Sequence, residues 1–383
     1  MTAPFSHQLF QALFEKAKIG SRETSWAGFC EREQEVYNSF FESLESSTDP
    51  KSEKDSILHF LKGLEEPLSL INLKTGPIEP FSGNRLYEVI SGENRYVLKV
   101  YQTNLIEAFE EAIASDVFHR LKLKSLSTPP IIKAAKISLA HSKRIFFLMP
   151  KVDTHTFDML MKSYLEKNKL KKEMEESFLS FGKSLNEWHY CKGDLGEKKL
   201  KALFKQPLLE LYKRAEFLLR NQQEPLIEVD GLKKYFNEKL SLFFNTKFPV
   251  GFMHGDLHFG NMGLDLNYNS FIFDLSSSFL SFQKKNVPHG IPYFDVHNVL
   301  SNILSWKLFG LTQEDADDFS KSFLEGNSGG KILDFGLSDF FTLIETLKAI
   351  PRFLDEEERV LSETKEIGKK IVLDRLKELN SRI

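Results

Sequence analysis

The sequence predicts an α+β protein, a sheet-based segment followed by a mainly helical one, and three observations carry that expectation. Apolar residues recur at helical spacing over residues 1–75, as in "FSHQLFQALFEKAK" and "ILHFLKGLEE", broken by the polar "SSTDPKSEKD". Near Pro77 the pattern changes to short runs rich in β-branched and aromatic residues, which continue to about residue 150. From Thr156 helical spacing returns and dominates to the end, with one interruption around residues 250–275. These shifts divide the chain into a helical N-terminal extension (1–75), a small sheet domain (76–150) and a helical domain (151–383).

Within the sheet domain, "RLYEVIS" and "RYVLKVY" flank "GEN", which reads as a hairpin. A helix is expected over "IEAFEEAIASDVFHRLK", then strands in "TPPIIKAAKISLA" and "KRIFFLMPKV". In the helical domain, "SFLSFGKSLNEWH" and "LLELYKRAEFLL" place apolar residues at three-and-four spacing. "FPVGFM" and "SFIFDLSSS" are short β segments on either side of a loop, and helices resume at Phe294.

Composition excludes several classes. A formal charge of −3, from 51 basic and 54 acidic residues, gives no pull toward nucleic acid or an anionic membrane. The local basic excess over 162–220 reads as a solvated helix surface. Cys30 and Cys191 are the only cysteines, so a disulfide framework is not expected and a reducing compartment is. No apolar stretch is long enough to span a bilayer, and the N-terminus lacks the pattern of a cleavable signal. The expected location is the cytoplasm of a bacterium, or a host cell entered without a cleavable signal. The 35 phenylalanines are spread along the chain and read as core-filling.

The loop "HGDLHFGN", residues 254–261, concentrates the chemistry. Zinc binding by His254 and His258 would need them on one helix face, but Gly255 and Gly260 each cost about 1 kcal/mol in a helix interior, and no zincin-type glutamate is present. A plain turn leaves the downstream "FIFDLS" unexplained. Phosphoryl transfer accounts for both: it needs a carboxylate to orient or deprotonate a hydroxyl, and oxygen ligands to hold Mg²⁺ against phosphates. Asp256 suits the first task, and Asn261 and Asp274, five and then thirteen residues on, suit the second.

With these spacings, "HGDLHFGN" followed by "FIFDLS" resembles the aminoglycoside phosphotransferase and choline kinase branch of the protein-kinase-like superfamily, whose loop commonly reads H-G-D-x-H-x-x-N. The resemblance covers roughly residues 76–310 and implies a bilobal protein-kinase-like fold that uses ATP and Mg²⁺. It implies Lys99, after "YVL", as the phosphate-binding lysine. Glu111 is its chosen partner on the following helix, with Glu110 and Asp116 as the other candidates. Ser82, Gly83 and Asn84 would form the nucleotide-covering turn, which has one clear glycine, so that Ser82 and Asn84 would supplement the backbone. Backbone groups around Met149 to Val152 would take adenine. His254 reads as a scaffold, and Asp295 in "PYFDVHNVLSNIL" as a structural N-cap. The expected acceptor is a small-molecule hydroxyl; a Ser/Thr/Tyr protein kinase and a nucleotide-binding pseudokinase scaffold are the other two readings.

Overall fold

The computed structural model describes residues 46–48, 53–62, 64, 68–72, 85–101, 108, 111, 112, 114, 115, 118, 119, 121–139, 142–190, 197–222, 227–249, 251–275, 289–328, 338–354 and 362–381. They fall into two compact units. One runs to Asp153 and takes in 272–275; the other holds Thr154–Phe271 and the described residues from 289 onward.

The first unit contains β1 (Ser46–Thr48), α1 (Glu53–Phe60), β2 (Leu68–Asn72), β3 (Arg85–Ser91), β4 (Asn94–Tyr101), β5 (Leu126–Ser127), β6 (Lys133–Leu139) and β7 (Ser142–Pro150). Between β4 and β5 the residues described from 108 to 119 are helical. A six-stranded sheet has the order β1-β6-β7-β4-β3-β2, antiparallel throughout except for the edge pair β1–β6. The β3–β4 hairpin closes at Ser91↔Asn94, and Gly92 takes φ 57°, a left-handed turn conformation that costs glycine little.

Strand alternation sorts the sheet into two faces. Val89, Leu98, Val100, Phe146 and Leu148 pack with Ile57, Phe60 and Leu61 from α1 and its end. Phe60 meets Phe146 edge-on at 5.5 Å, and the Lys133 ammonium donates to the carbonyls of Phe60 and Lys62, which the end of α1 leaves unpaired. The alternate residues of β4, Lys99 and Tyr101, lie on the opposite face. The described residues between 46 and 72 thus contribute two strands to the sheet and a helix that packs on it, whereas a helical extension was expected over 1–75. The helical period of "ILHFLKGLEE" is real, but β1 and β2 are three and five residues long. Such short strands have little signal of their own and exist because β6 and β3 offer partners.

The second unit contains β8 (Thr154–Thr156), α2 (Phe157–Leu165), α3 (Lys171–His189), α4 (Glu197–Arg220), α5 (Val229–Asn245), β9 (Gly251–Phe252), β10 (Met262–Asp265), β11 (Ser270–Ile272, which leads into the first unit's 272–275), β12 (His289–Gly290), α6 (Tyr293–Ser305), α7 (Gln313–Ser328), α8 (Ser338–Leu354) and α9 (Ser362–Asn380). The phenylalanines form two clusters here: Phe157, Phe178, Phe181 and Phe259 around α2 and α3, and Phe243, Phe248, Phe294, Phe340 and Phe341 among α5, α6 and α8. Helices α3 and α7 cross with backbones almost touching, since a Cβ on Gly182 would sit 2.4 Å from the Phe323 carbonyl oxygen. Among the described residues no helix is long and apolar enough to cross a membrane.

His297 on α6 is buried, stacks on Phe341 at 4.7 Å, and has its pKa pushed down by burial from 6.5 to about 4. The unfolded chain therefore takes up a proton first as pH falls. The stability of the neutral buried ring is fully present above about pH 6.5 and drains away toward pH 4, a loss of about 3 kcal/mol in total. Unfolding midpoints measured across this window should fall, and His297→Gln should flatten that part of the slope.

Candidate active site

Three of the expected residues meet in the first unit. Lys99 lies on the α1-free face of β4, with its side chain 7% exposed. Its Nζ donates to Glu111 Oε2 at 2.8 Å and to Asp274 Oδ1 at 2.9 Å, and stands 5.0 Å from the Tyr101 ring centre. Burial works against the ammonium, but Asp274 and Glu111 outweigh it and hold the lysine above its ordinary range. The charge is permanent at any physiological pH. Asp274 takes φ 53°, a left-handed conformation uncommon for a residue with a Cβ, and keeps its side chain 42% exposed while one oxygen is on Lys99.

The loop 254–261 belongs to the second unit, and its backbone is held from behind. Asp295, fully buried on α6, accepts the backbone N–H of His254 at 2.6 Å on one carboxylate oxygen and that of Gly255 at 2.7 Å on the other. Its Oδ2 also lies 3.2 Å from His189 Nε2 at the end of α3. Asp295 therefore clamps the loop, where an N-cap was expected; the residue at the cap position is Pro292. The third residue of a helix points its side chain back beyond the N-terminus, so its sequence context resembles that of a cap. Gly251 allows the close approach of β9 to α3, because a Cβ there would fall 1.6 Å from the His189 carbonyl oxygen. Gly255 adopts φ 81°, the turn that brings its own N–H onto Asp295.

His254 is buried against Trp188, and its Nδ1 accepts the Asp256 N–H at 3.3 Å. It is a scaffold for the loop. Asp256, Leu257, His258 and Phe259 alternate exposed, buried, exposed, buried, so that Leu257 and Phe259 root the loop in the core and Asp256 is presented outward. Asn261 Nδ2 donates to the Asp256 carbonyl at 3.1 Å. That bond commits the amide's donor side to the loop and leaves its acceptor oxygen for another partner.

Met149 sits on β7 opposite Val97, two residues before Lys99 on β4, and Val152 follows just beyond the strand; both are half-buried. A feature not foreseen from sequence secures this segment. The Lys151 N–H donates to the Arg95 carbonyl at 2.9 Å, and Lys151 Nζ and Arg95 Nε pair with buried Glu88 at 2.8 and 2.7 Å. No local pattern marks Glu88, because its partners come from two other strands' ends. Ser82, Gly83 and Asn84 lie outside the described residues, as do Glu110 and Asp116.

The oxygen donors suit Mg²⁺, a hard cation that takes carboxylate and amide oxygens. Asn261 bonds the loop through its amide nitrogen, and Asp274, in the first unit, is a partly exposed carboxylate with one oxygen on a lysine. Neither His254 nor His258 stands on a helix, and each ring's Nδ1 already accepts a backbone N–H.

A profile of the APH phosphotransferase enzyme family matches residues 77–301, more than half of the chain. The chain belongs to that family. A search of the curated proteins finds no match. Among solved structures, the phosphotransferase is similar to an ethanolamine kinase of Plasmodium vivax, with a TM-score of 0.51 at 13% identity, over 90% of this chain and 93% of that one. A choline/ethanolamine kinase family protein from Mesorhizobium loti gives 0.51 at 13% identity, over 83% and 89%. The streptomycin–ATP–APH(2'')-IIa ternary complex gives 0.50 at 15%, over 86% and 97%. At such identities the likeness is one of fold, and the phosphotransferase has the protein-kinase-like fold expected from its motifs.

Proposed function

We propose that this phosphotransferase moves the γ-phosphoryl group of ATP to a hydroxyl of a small molecule, with Mg²⁺ as cofactor. The observation that carries the reading is the loop clamped by Asp295, which presents Asp256 outward on a rigid backbone. Asp256 orients the acceptor hydroxyl and takes its proton as the oxygen bonds to phosphorus. Lys99, braced by Glu111, supplies a permanent positive charge for the α- and β-phosphates. Asn261 and Asp274 would hold the metal, which would supply positive charge to screen the phosphates. The bond from Lys99 to Asp274 would give way to bonds from Lys99 to phosphate oxygens. Ser82, Gly83 and Asn84 cover the nucleotide, and the segment from Met149 to Val152 receives the base.

The acceptor class follows the solved neighbours, whose names include ethanolamine kinase and a complex with streptomycin. Two cysteines in the whole chain suit a reducing, cytoplasmic setting.

Thermal unfolding with and without ATP and Mg²⁺, beside Asp274→Ala, tests the nucleotide half of this reading. A ligand at a hundred times its dissociation constant adds about 2.7 kcal/mol. The wild type should show a rise in midpoint that requires Mg²⁺ and that the variant loses. Labelled ATP offered with a panel of small alcohols, and separately with a cell lysate, tests the acceptor. Label on small molecules supports the proposal, and label confined to protein bands replaces it with a protein kinase.

A further inference from the structure

Strand alternation in the first unit puts three charged side chains on the same face as Lys99, in a row toward the start of β4. Glu88 on β3 stands opposite Val97, and Arg95 and Lys151 continue the β4–β7 register one step past Tyr96 and Pro150. Glu88 is 5% exposed, and its Oε1 takes Lys151 Nζ at 2.8 Å and Arg95 Nε at 2.7 Å. The bonds from Lys151 and then Arg95 outweigh burial and hold the carboxyl below its ordinary range. As a means of stability this is poor design, since an apolar side chain of similar size holds a sheet together as well or better than a buried ion pair. The phosphate and metal assignments give the cluster no role. What it does accomplish is to fix Lys151.

The backbone around Lys151 shows why that matters. The Lys151 N–H donates to the Arg95 carbonyl at 2.9 Å, which makes Arg95 with Lys151, and hence Val97 with Met149, hydrogen-bonded pairs of the ladder. The residues between them turn their backbone groups away from β4, as Leu148 does in accepting the Ile132 N–H at 2.8 Å. Pro150 and Val152 follow the same alternation, and the pairing of β7 with β6 has already stopped at Leu148. That edge therefore offers, in chain order, a carbonyl without an N–H at Pro150 and then the N–H of Val152. Acceptor followed by donor complements adenine, whose amino group donates and whose neighbouring ring nitrogen accepts. Guanine presents an oxygen and a ring N–H, the reverse order. The Pro150 carbonyl belongs to the peptide plane before Lys151 and the Val152 N–H to the plane after it, so the two dihedrals of Lys151 alone set their relative orientation.

We propose that Glu88 is a specificity-determining positioning residue. By locking Lys151 to the β3–β4 hairpin, it fixes the Pro150 carbonyl and the Val152 N–H in the orientation that takes adenine and refuses guanine. The proposal rests on the phosphotransferase reading and deepens its nucleotide half. The competing assignment is a plain tie between strands, which would support any bound nucleotide equally.

Binding of MgADP and of MgGDP to the full chain, measured by calorimetry beside the unfolding midpoint of each free protein, separates the two. The wild type should bind MgADP at least about tenfold more tightly than MgGDP, the worth of one or two hydrogen bonds. Glu88→Gln keeps the size of the side chain and gives up its charge. Lys151→Met removes the other end of the bond at a partly exposed position, and decides alone should the first variant fail to fold. Each should bring the ratio of the two affinities close to one, and the double variant should go no further than either. A fall in stability common to both ligands cancels from that ratio. Variants that keep the wild-type ratio while both affinities fall with the midpoint would overturn the proposal, as would a wild type that binds MgGDP as tightly as MgADP. A wild type that binds neither nucleotide would instead bring down the phosphotransferase reading, and this proposal with it.

Discussion

Asp256→Ala is expected to remove nearly all phosphoryl transfer, about 10²- to 10⁴-fold for the loss of a proton acceptor, while Mg²⁺-dependent ATP binding is preserved. The asymmetry follows from where the groups sit. Lys99, the charge assigned to the phosphates, and Glu111, its brace, belong to the first unit and are bonded to each other, so removal of a side chain on the loop leaves them intact. Asp256 is exposed, and its side chain fills no part of the core. Its loss should change stability by no more than about 0.5 kcal/mol. Rates with labelled ATP and the unfolding midpoint, measured on one preparation, check both halves. A variant that transfers phosphate at the wild-type rate would take the proton-acceptor role away from Asp256. One that also fails to bind ATP would show that the carboxylate acts on the nucleotide instead.

Asp295→Ala should lose both turnover and stability. Its carboxylate accepts two consecutive backbone N–H groups of the loop and faces His189, all without access to water. Truncation strands those donors in the interior. An unsatisfied buried donor costs about 1–3 kcal/mol, so a total loss of about 3 kcal/mol or more is expected in denaturant unfolding. The loop would then no longer hold Asp256 in one place, and misplacement of a reacting group by about 1 Å can cost 10² in rate. Asp295→Asn is the sharper probe. It keeps the volume and one acceptor oxygen but turns an NH₂ toward a backbone N–H, so it should recover part of the stability and little of the turnover. Wild-type turnover in the Asn variant would show that the clamp is dispensable.

Much of the candidate site could be proposed from the sequence because its pattern is written locally. The spacings of Asp256, Asn261 and Asp274, and a lysine that follows an apolar run, are short-range patterns. Glu111 was chosen from three acidic residues of the helix expected after Lys99, and it bonds Lys99 at 2.8 Å. The roles assigned to these residues in catalysis and binding stand as proposals with their tests.

Other features depended on distant neighbours. Strands β1 and β2 lay hidden in a segment with a helical period, since a strand of three to five residues is defined by its partners. Asp295 read as a cap because its target, the loop at His254 and Gly255, lies about forty residues earlier in the chain. The Glu88–Lys151–Arg95 cluster joins a strand interior to the ends of two other strands.

The sequence by itself determined the fold class, the family resemblance and the chemically reactive residue types, because helical and strand periods and motif spacings are properties of neighbouring residues. Only the tertiary structure decided which carboxylate braces Lys99 and what holds the loop. Those depend on side chains that meet across long stretches of chain, where burial and hydrogen bonding, rather than local propensity, set the geometry.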